Sequence, residues 1–106
     1  MEQMIMFMNS ITTNSRTFSV KKLNRIRRID ETVREYFENH PDEYEIPARS
    51  LMPLFISKGI FVDDVCRGLH IRNLLRELYR TEQLYLFKSV MVIRNKLNSN
   101  WYFRRK

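Results

Sequence analysis

Ile71-Arg72-Asn73-Leu74-Leu75-Arg76-Glu77-Leu78-Tyr79-Arg80-Thr81-Glu82-Gln83-Leu84-Tyr85-Leu86-Phe87 is the stretch on which the fold turns. Ile71, Leu74, Leu75 and Leu78 recur at i, i+3, i+4 and i+7, the spacing of one buried helical stripe. Arg72, Arg76 and Arg80 recur at i, i+4 and i+8 and so predict a cationic row on a different, exposed face. Like charges four residues apart repel and weaken an isolated helix. A negatively charged partner would remove that penalty. The helix is read from Leu69 to Glu82, and Leu84 to Arg94, rich in β-branched and aromatic residues, reads as a strand.

Toward the C-terminus, Asn95-Lys96-Leu97-Asn98-Ser99-Asn100 holds three asparagines, which tolerate left-handed backbone, and predicts a hairpin tip. The return strand spans Asn100 to Arg104, with Trp101 and Phe103 pointing one way and Tyr102 the other. Lys88 and Ser89 are polar, which allows the outgoing strand to start later than Leu84.

Toward the N-terminus, Ile60 to Gly68 is a connector in which Asp63 or Asp64 can cap an extra turn. A short second helix is framed by Ser50 as N-cap, Pro53 in the first turn and Gly59 as terminator. It covers Leu51 to Lys58 and buries Leu51, Leu54 and Phe55; Pro47 at a first helical position offers an earlier start. Residues 41–49 read as a polar connector. A first helix is expected from Val20 to Asn39, where Leu23, Ile26, Ile29, Val33, Tyr36, Phe37 and His40 keep helical spacing and Pro41 closes it. Its front is basic (Lys21, Lys22, Arg25, Arg27, Arg28) and its rear acidic, the reverse of what the helix dipole favours. That front is either an ordinary solvated face or a cluster held for a ligand. Residues 1–19 carry four of the six methionines. They read as an arm with a short strand around Met4–Met8, either loosely ordered or docked on a second subunit, a homodimer through residues 1–40.

The 106 residues suffice for one domain with a single modest core. The net charge of +7 suits an anionic partner. Its placement is more telling. Residues 66–106 carry ten Lys/Arg against two acids, a net +8, whereas residues 1–65 are at −1. The lone Cys66 excludes an intramolecular disulfide and fits a reducing, cytoplasmic setting. Glu2 and a five-residue apolar run near the start predict no secretory signal, and no membrane span is expected.

The order helix, short helix, helix with an arginine row, then basic-tipped hairpin resembles the winged helix-turn-helix superfamily of DNA-binding domains. Arg72-Asn73-Leu74-Leu75-Arg76-Glu77-Leu78, followed after five residues by Leu84-Tyr85-Leu86, looks like that family's recognition helix and the strand leaving it. The resemblance covers Val20 to Lys106. It implies an α+β, mainly α fold, a three-helix domain with a C-terminal β-hairpin wing. It further implies that the third helix lies in the major groove and the wing touches backbone or minor groove. The groove-facing positions are then Arg72, Asn73, Arg76 and Arg80, since arginine suits guanine's O6/N7 edge and asparagine suits adenine. Arg94, Lys96 and Asn98 match the wing tip, and Arg104, Arg105 and Lys106 the backbone-contacting ends. The chain departs from the pattern at Ile60–Gly68, nine residues where about three or four are usual.

Other chemistry is poorly provided for. Cys66 and His70 make at most half a zinc site, with His40 the only other histidine. A buried thiol and a surface imidazole are the plainer reading. Two glycines leave no phosphate loop, and no nucleophile stands beside a histidine base. No enzyme activity, metal or cofactor is expected. The expectation is a non-enzymatic binder of double-stranded DNA, a regulator or accessory factor that is nucleoid-associated. A protein–protein adaptor on the same fold is one alternative. The other is an RNA or single-strand binder that stacks bases on Trp101, Tyr102 and Phe103. Against the arginine row stands the ability of arginine stems to cover apolar surface, and of Glu77 to pair with Arg76 or Arg80.

Overall fold

The computed structural model describes residues 19–106. The expected arm up to residue 18, its strand at Met4–Met8 and residues 1–18 of the expected dimer contact lie outside the described residues. Only Ser19 of that segment is seen, and it caps the first helix: its hydroxyl accepts from the Lys22 N–H at 3.1 Å. Helix α1 spans Val20–Asn39 and buries Ile26, Ile29, Val33 and Phe37 along one stripe. The chain leaves it at His40, because the residue before a proline is disfavoured in helical geometry. Leu23 and His40, expected on the buried stripe, are exposed at the two ends of the helix.

Residues 41–49 are more than a connector. Glu45–Pro47 forms a short strand, β1, antiparallel to the last strand of the chain. Three residues are too few for any periodic signal, and the strand exists because its partner provides the ladder. Pro47 is tolerated there because β1 is an edge. A 3-10 turn over Ala48–Leu51 leads directly into α2, Met52–Ser57. Helical backbone therefore begins just after Pro47, the earlier of the two starts, and Ser50 sits inside the turn without capping it. Gly59 then reverses the chain at φ +74°.

Helix α3 spans Leu69–Arg80 and buries Ile71, Leu74, Leu75 and Leu78, the four residues of the predicted stripe. It stops two residues before the expected end, with Glu82 in left-handed geometry at φ +57°. Leu84–Leu86 is a 3-10 turn and not the start of a strand. Strand β2 runs only over Val90–Arg94, and β3 over Trp101–Arg105. The left-handed Glu82 turns the chain, and Leu84 and Leu86 pack against the core from the 3-10 turn.

The described residues are therefore α+β, with three helices and a three-stranded antiparallel sheet in the order β1-β3-β2. One sheet face, with Ile46, Val90, Val92, Trp101 and Phe103, meets the helices. Phe103 is fully buried, with edge or tilted contacts to Phe55 and Phe87 at 6.5 and 5.7 Å between ring centres. The buried Asp30 carboxylate of α1 accepts the Ser89 N–H at 3.0 and 3.2 Å, tying the first helix to the entry of β2. Lys58 bonds Glu35 at 2.8 Å across α1 and α2. That hydrogen bond and the ammonium charge hold the Glu35 carboxyl below its ordinary range. The contribution of the pair is present above the ordinary carboxylate pKa and is lost as pH falls through the lowered folded value.

Two substitution sets check this packing by urea denaturation. Leu75→Ala or Leu78→Ala should lose roughly 2–5 kcal/mol, since both side chains are fully buried. At Gly59 an added Cβ meets nothing within 4 Å, so Gly59→Ala should cost only the left-handed penalty of about 1–2 kcal/mol. At Gly68 the same atom would lie 2.6 Å from the Arg49 Cβ, and Gly68→Ala should be clearly the worse of the two.

Candidate nucleic-acid interface

The long connector ends in a turn of unusual backbone. Cys66, Arg67 and Gly68 take φ values of +51°, +47° and +96° in succession. Left-handed geometry costs a non-glycine residue roughly 1–2 kcal/mol, so side chains must hold it. The Arg72 guanidinium donates to the carbonyls of Cys66 and Arg67 at 3.3 and 2.9 Å. The Asp64 carboxylate accepts the Gly68 N–H at 2.6 Å. Arg72, expected on the exposed row, is instead half-buried and spans the turn that launches α3. Cys66 is exposed, not the buried thiol expected from its type; the left-handed turn carries it outward.

Beyond Arg72, α3 presents an outward ridge. At about 100° per residue, Asn73, Arg76 and Arg80 fall within about 60° of one another, opposite the buried stripe. All three are exposed. Arg76 donates to the Asn73 side-chain oxygen at a long 3.3 Å. Among the described residues neither Arg76 nor Arg80 is paired with an acid. Glu77 does not blunt the row, because it bonds Lys22 of α1 at 2.6 Å.

One shoulder of the ridge faces the start of α1. His70 pairs with Asp63 at 2.8 Å and stacks on Phe61, and Arg25 lies 5.3 Å from the centre of the same ring. These groups border an open cleft of about 460 Å³ between α1 and α3. Arg25 is exposed along this edge beside Lys22, with no acid in the first turn of α1, whereas Lys21 lies toward Gly59 and Ile60. They belong to the basic front of that helix, whose clustering was legible but whose position beside α3 was not.

The other shoulder faces the hairpin. Tyr79 meets Trp101 edge-on at 5.8 Å, and Arg94 lies over both rings at 5.7 and 5.9 Å. The last pair of the hairpin before its turn, Arg94 and Trp101, is thereby fixed to α3. At its tip Asn95 and Asn98 accept the N–H groups of Leu97 and Asn100 through their side chains. The left-handed residue is Ser99, at φ +60°, and none of the three asparagines. Lys96 stands exposed there and Asn98 beside it.

The remaining candidates lie elsewhere. Arg104 bonds Glu45 of β1 at 3.0 and 2.7 Å. Arg105 donates to the carbonyls of Phe37, His40 and Glu43 and covers the Phe37 ring, so it serves the C-terminal end of α1. Both sit at the far end of β3, roughly 10–14 Å along the strand from the tip. Trp101 and Phe103 are buried and offer no stacking face to a base. Among the described residues no three His, Cys, Asp or Glu side chains gather as a metal site, and no helix is long and apolar enough to cross a membrane. No protein-family model, curated protein or solved structure matches the chain.

This division of the cations is open to a stability test. Arg105→Ala should lose roughly 1–3 kcal/mol, because the half-buried carbonyls of Phe37 and Glu43 and the exposed one of His40 lose a charged donor. Arg80→Ala and Lys96→Ala should stay within about 0.5 kcal/mol of the parent, as surface changes do. Thermal melts of the three variants decide it.

Proposed function

We propose that the chain is a winged helix-turn-helix domain that binds duplex DNA without enzymatic activity, as a regulator or accessory factor. The observation that carries this reading is the ridge Asn73, Arg76 and Arg80 on a helix bordered on both shoulders by cations. Lys22 and Arg25 stand on the α1 side, and Arg94 and Lys96 on the hairpin side. The element order α1-β1-α2-α3-β2-β3 with the sheet order β1-β3-β2 supports the winged form. So does a hairpin packed beside the exposed helix.

The mechanism follows from shape and charge. A helix is about 10–12 Å across and the major groove of B-DNA about 12 Å wide. With the α3 ridge in that groove, each shoulder meets one phosphate rim. Arg76 and Arg80 present forked donors to guanine edges, and Asn73 can bond adenine. Arg67, at the launching turn, and the shoulder cations neutralise phosphates, which positions the helix without reading sequence. No metal or cofactor enters this mechanism. An acidic protein partner would suit the same cations, and the two differ in how their binding answers to base sequence.

A fluorescence-anisotropy titration against salt is the first check. Five to seven phosphate contacts give a log–log slope of roughly −4 to −6. Arg76→Ala should lose roughly 1–3 kcal/mol on a preferred duplex and flatten the preference between duplexes. Lys96→Ala should weaken all duplexes about equally and lower the slope by about one. Binding that barely responds to salt, with both variants at parental affinity for DNA, points the basic face toward a protein.

A further inference from the structure

We propose that Leu97 is an apolar wedge that enters the minor groove of the bound duplex and bends it by opening a base step. This rests on the duplex-DNA reading above and adds to it a deformation of the DNA and a preference that no base-edge contact would produce.

Leu97 is 98% exposed, the most exposed large apolar side chain among the described residues. One exposed leucine is ordinary on a protein surface. Its setting is not. It occupies the extreme tip of the hairpin, where the backbone is held from four directions. Asn95 N–H donates to the Asn100 carbonyl and Ser99 N–H to the Asn95 carbonyl, each at 2.8 Å. The side chains of Asn95 and Asn98 accept the N–H groups of Leu97 and Asn100 at 2.9 and 3.0 Å. The tip is thus preorganised, with little backbone freedom left to lose on contact. Among the described residues Leu97 belongs to no packed cluster, so their packing gives no reason for an apolar residue at this place.

The tip is also aimed. Arg94, three residues before Leu97, is stacked on Tyr79 of α3 and on Trp101. The hairpin therefore projects from one shoulder of the helix at a set distance. With α3 in the major groove, a structure displaced to the side crosses the phosphate rim and meets the adjacent minor groove. That groove is about 6 Å wide, too narrow for a helix yet open to a single side chain on a turn. Lys96, next to Leu97, places a charge at the rim.

The chemistry of leucine selects the outcome. With no donor or acceptor it reads no base edge. What it gains in the groove is removal of its apolar surface from water, most completely by sliding between two partly unstacked base pairs. Apolar side chains used in this way kink duplexes by about 20–90°. The steps that unstack most readily are pyrimidine–purine steps such as TA and CA/TG. The ligand class is accordingly duplex DNA carrying such a step beside the helix site.

The test uses the full chain and duplexes of about 30 bp with a donor and an acceptor dye at the two ends, with or without a central TA step. The parent should raise energy transfer, reporting a bend of at least about 20°, and should do so more on the TA duplex. Leu97→Ser should abolish most of that rise while binding the duplex with a loss of less than about tenfold and melting at the parental temperature. Leu97→Phe, which keeps an apolar wedge, should restore the bend. A Leu97→Ser protein that bends DNA as the parent does overturns the wedge. So does a parent that binds the duplex and leaves it straight, while the DNA-binding reading survives. A parent that does not bind the duplex at any salt overturns both.

Discussion

Burial of Ile71, Leu74, Leu75 and Leu78 is the constraint on which the rest of the molecule depends. These four side chains sit on one stripe of α3, three of them with no exposed surface. They share one core with buried residues of α1 and α2 and with Trp101 and Phe103 of the sheet. Once that stripe is inward, the helix has no freedom about its axis. Asn73, Arg76 and Arg80 must face out, and Glu77 and Tyr79 must take the two shoulders. The orientation of the cationic ridge is a by-product of hydrophobic burial, not of any contact between the cations themselves.

A second level of control comes from polar groups that hold backbone in unfavourable geometry. Three successive residues with positive φ precede α3, and they persist because Arg72 bonds two of their carbonyls and Asp64 bonds the Gly68 N–H. A nine-residue connector would otherwise leave the entry to α3 loosely defined. The hairpin tip follows the same logic on a smaller scale, with Asn95 and Asn98 supplying local acceptors. In both places a left-handed stretch sets the direction of the element that follows.

The arginines show how alike residues acquire different work. Arg72 spans a turn, Arg105 collects carbonyls at the end of α1, Arg104 joins two strands through Glu45, and Arg94 lies on two aromatic rings. Arg76 and Arg80 are left with no acid beside them among the described residues. The excess of positive charge in the last forty-one residues is thus partly structural, and the share free to meet a ligand is concentrated along α3 and the near end of the hairpin. The basic front of α1 joins that face through the Lys22–Glu77 pair.

Local pattern alone determined the three helices, the stripe that buries α3, the hairpin with its tip at 95–100, and the inward turn of Trp101 and Phe103. These are periodic or composition signals that the chain carries within a few residues. Strand β1 was not legible, because three residues have no period and exist as a strand only beside β3. The residue types of Leu84–Leu86 suit both a strand and a 3-10 turn, and the left-handed Glu82 decides between them. Which arginines are committed was not legible either. Arg72 and Arg76 look equivalent at spacing i, i+4, and only the connector folding back over the first of them separates the two. Periodicity specifies which face of an element is buried, whereas the partner of a long charged side chain is set by whatever distant backbone the fold brings within its reach.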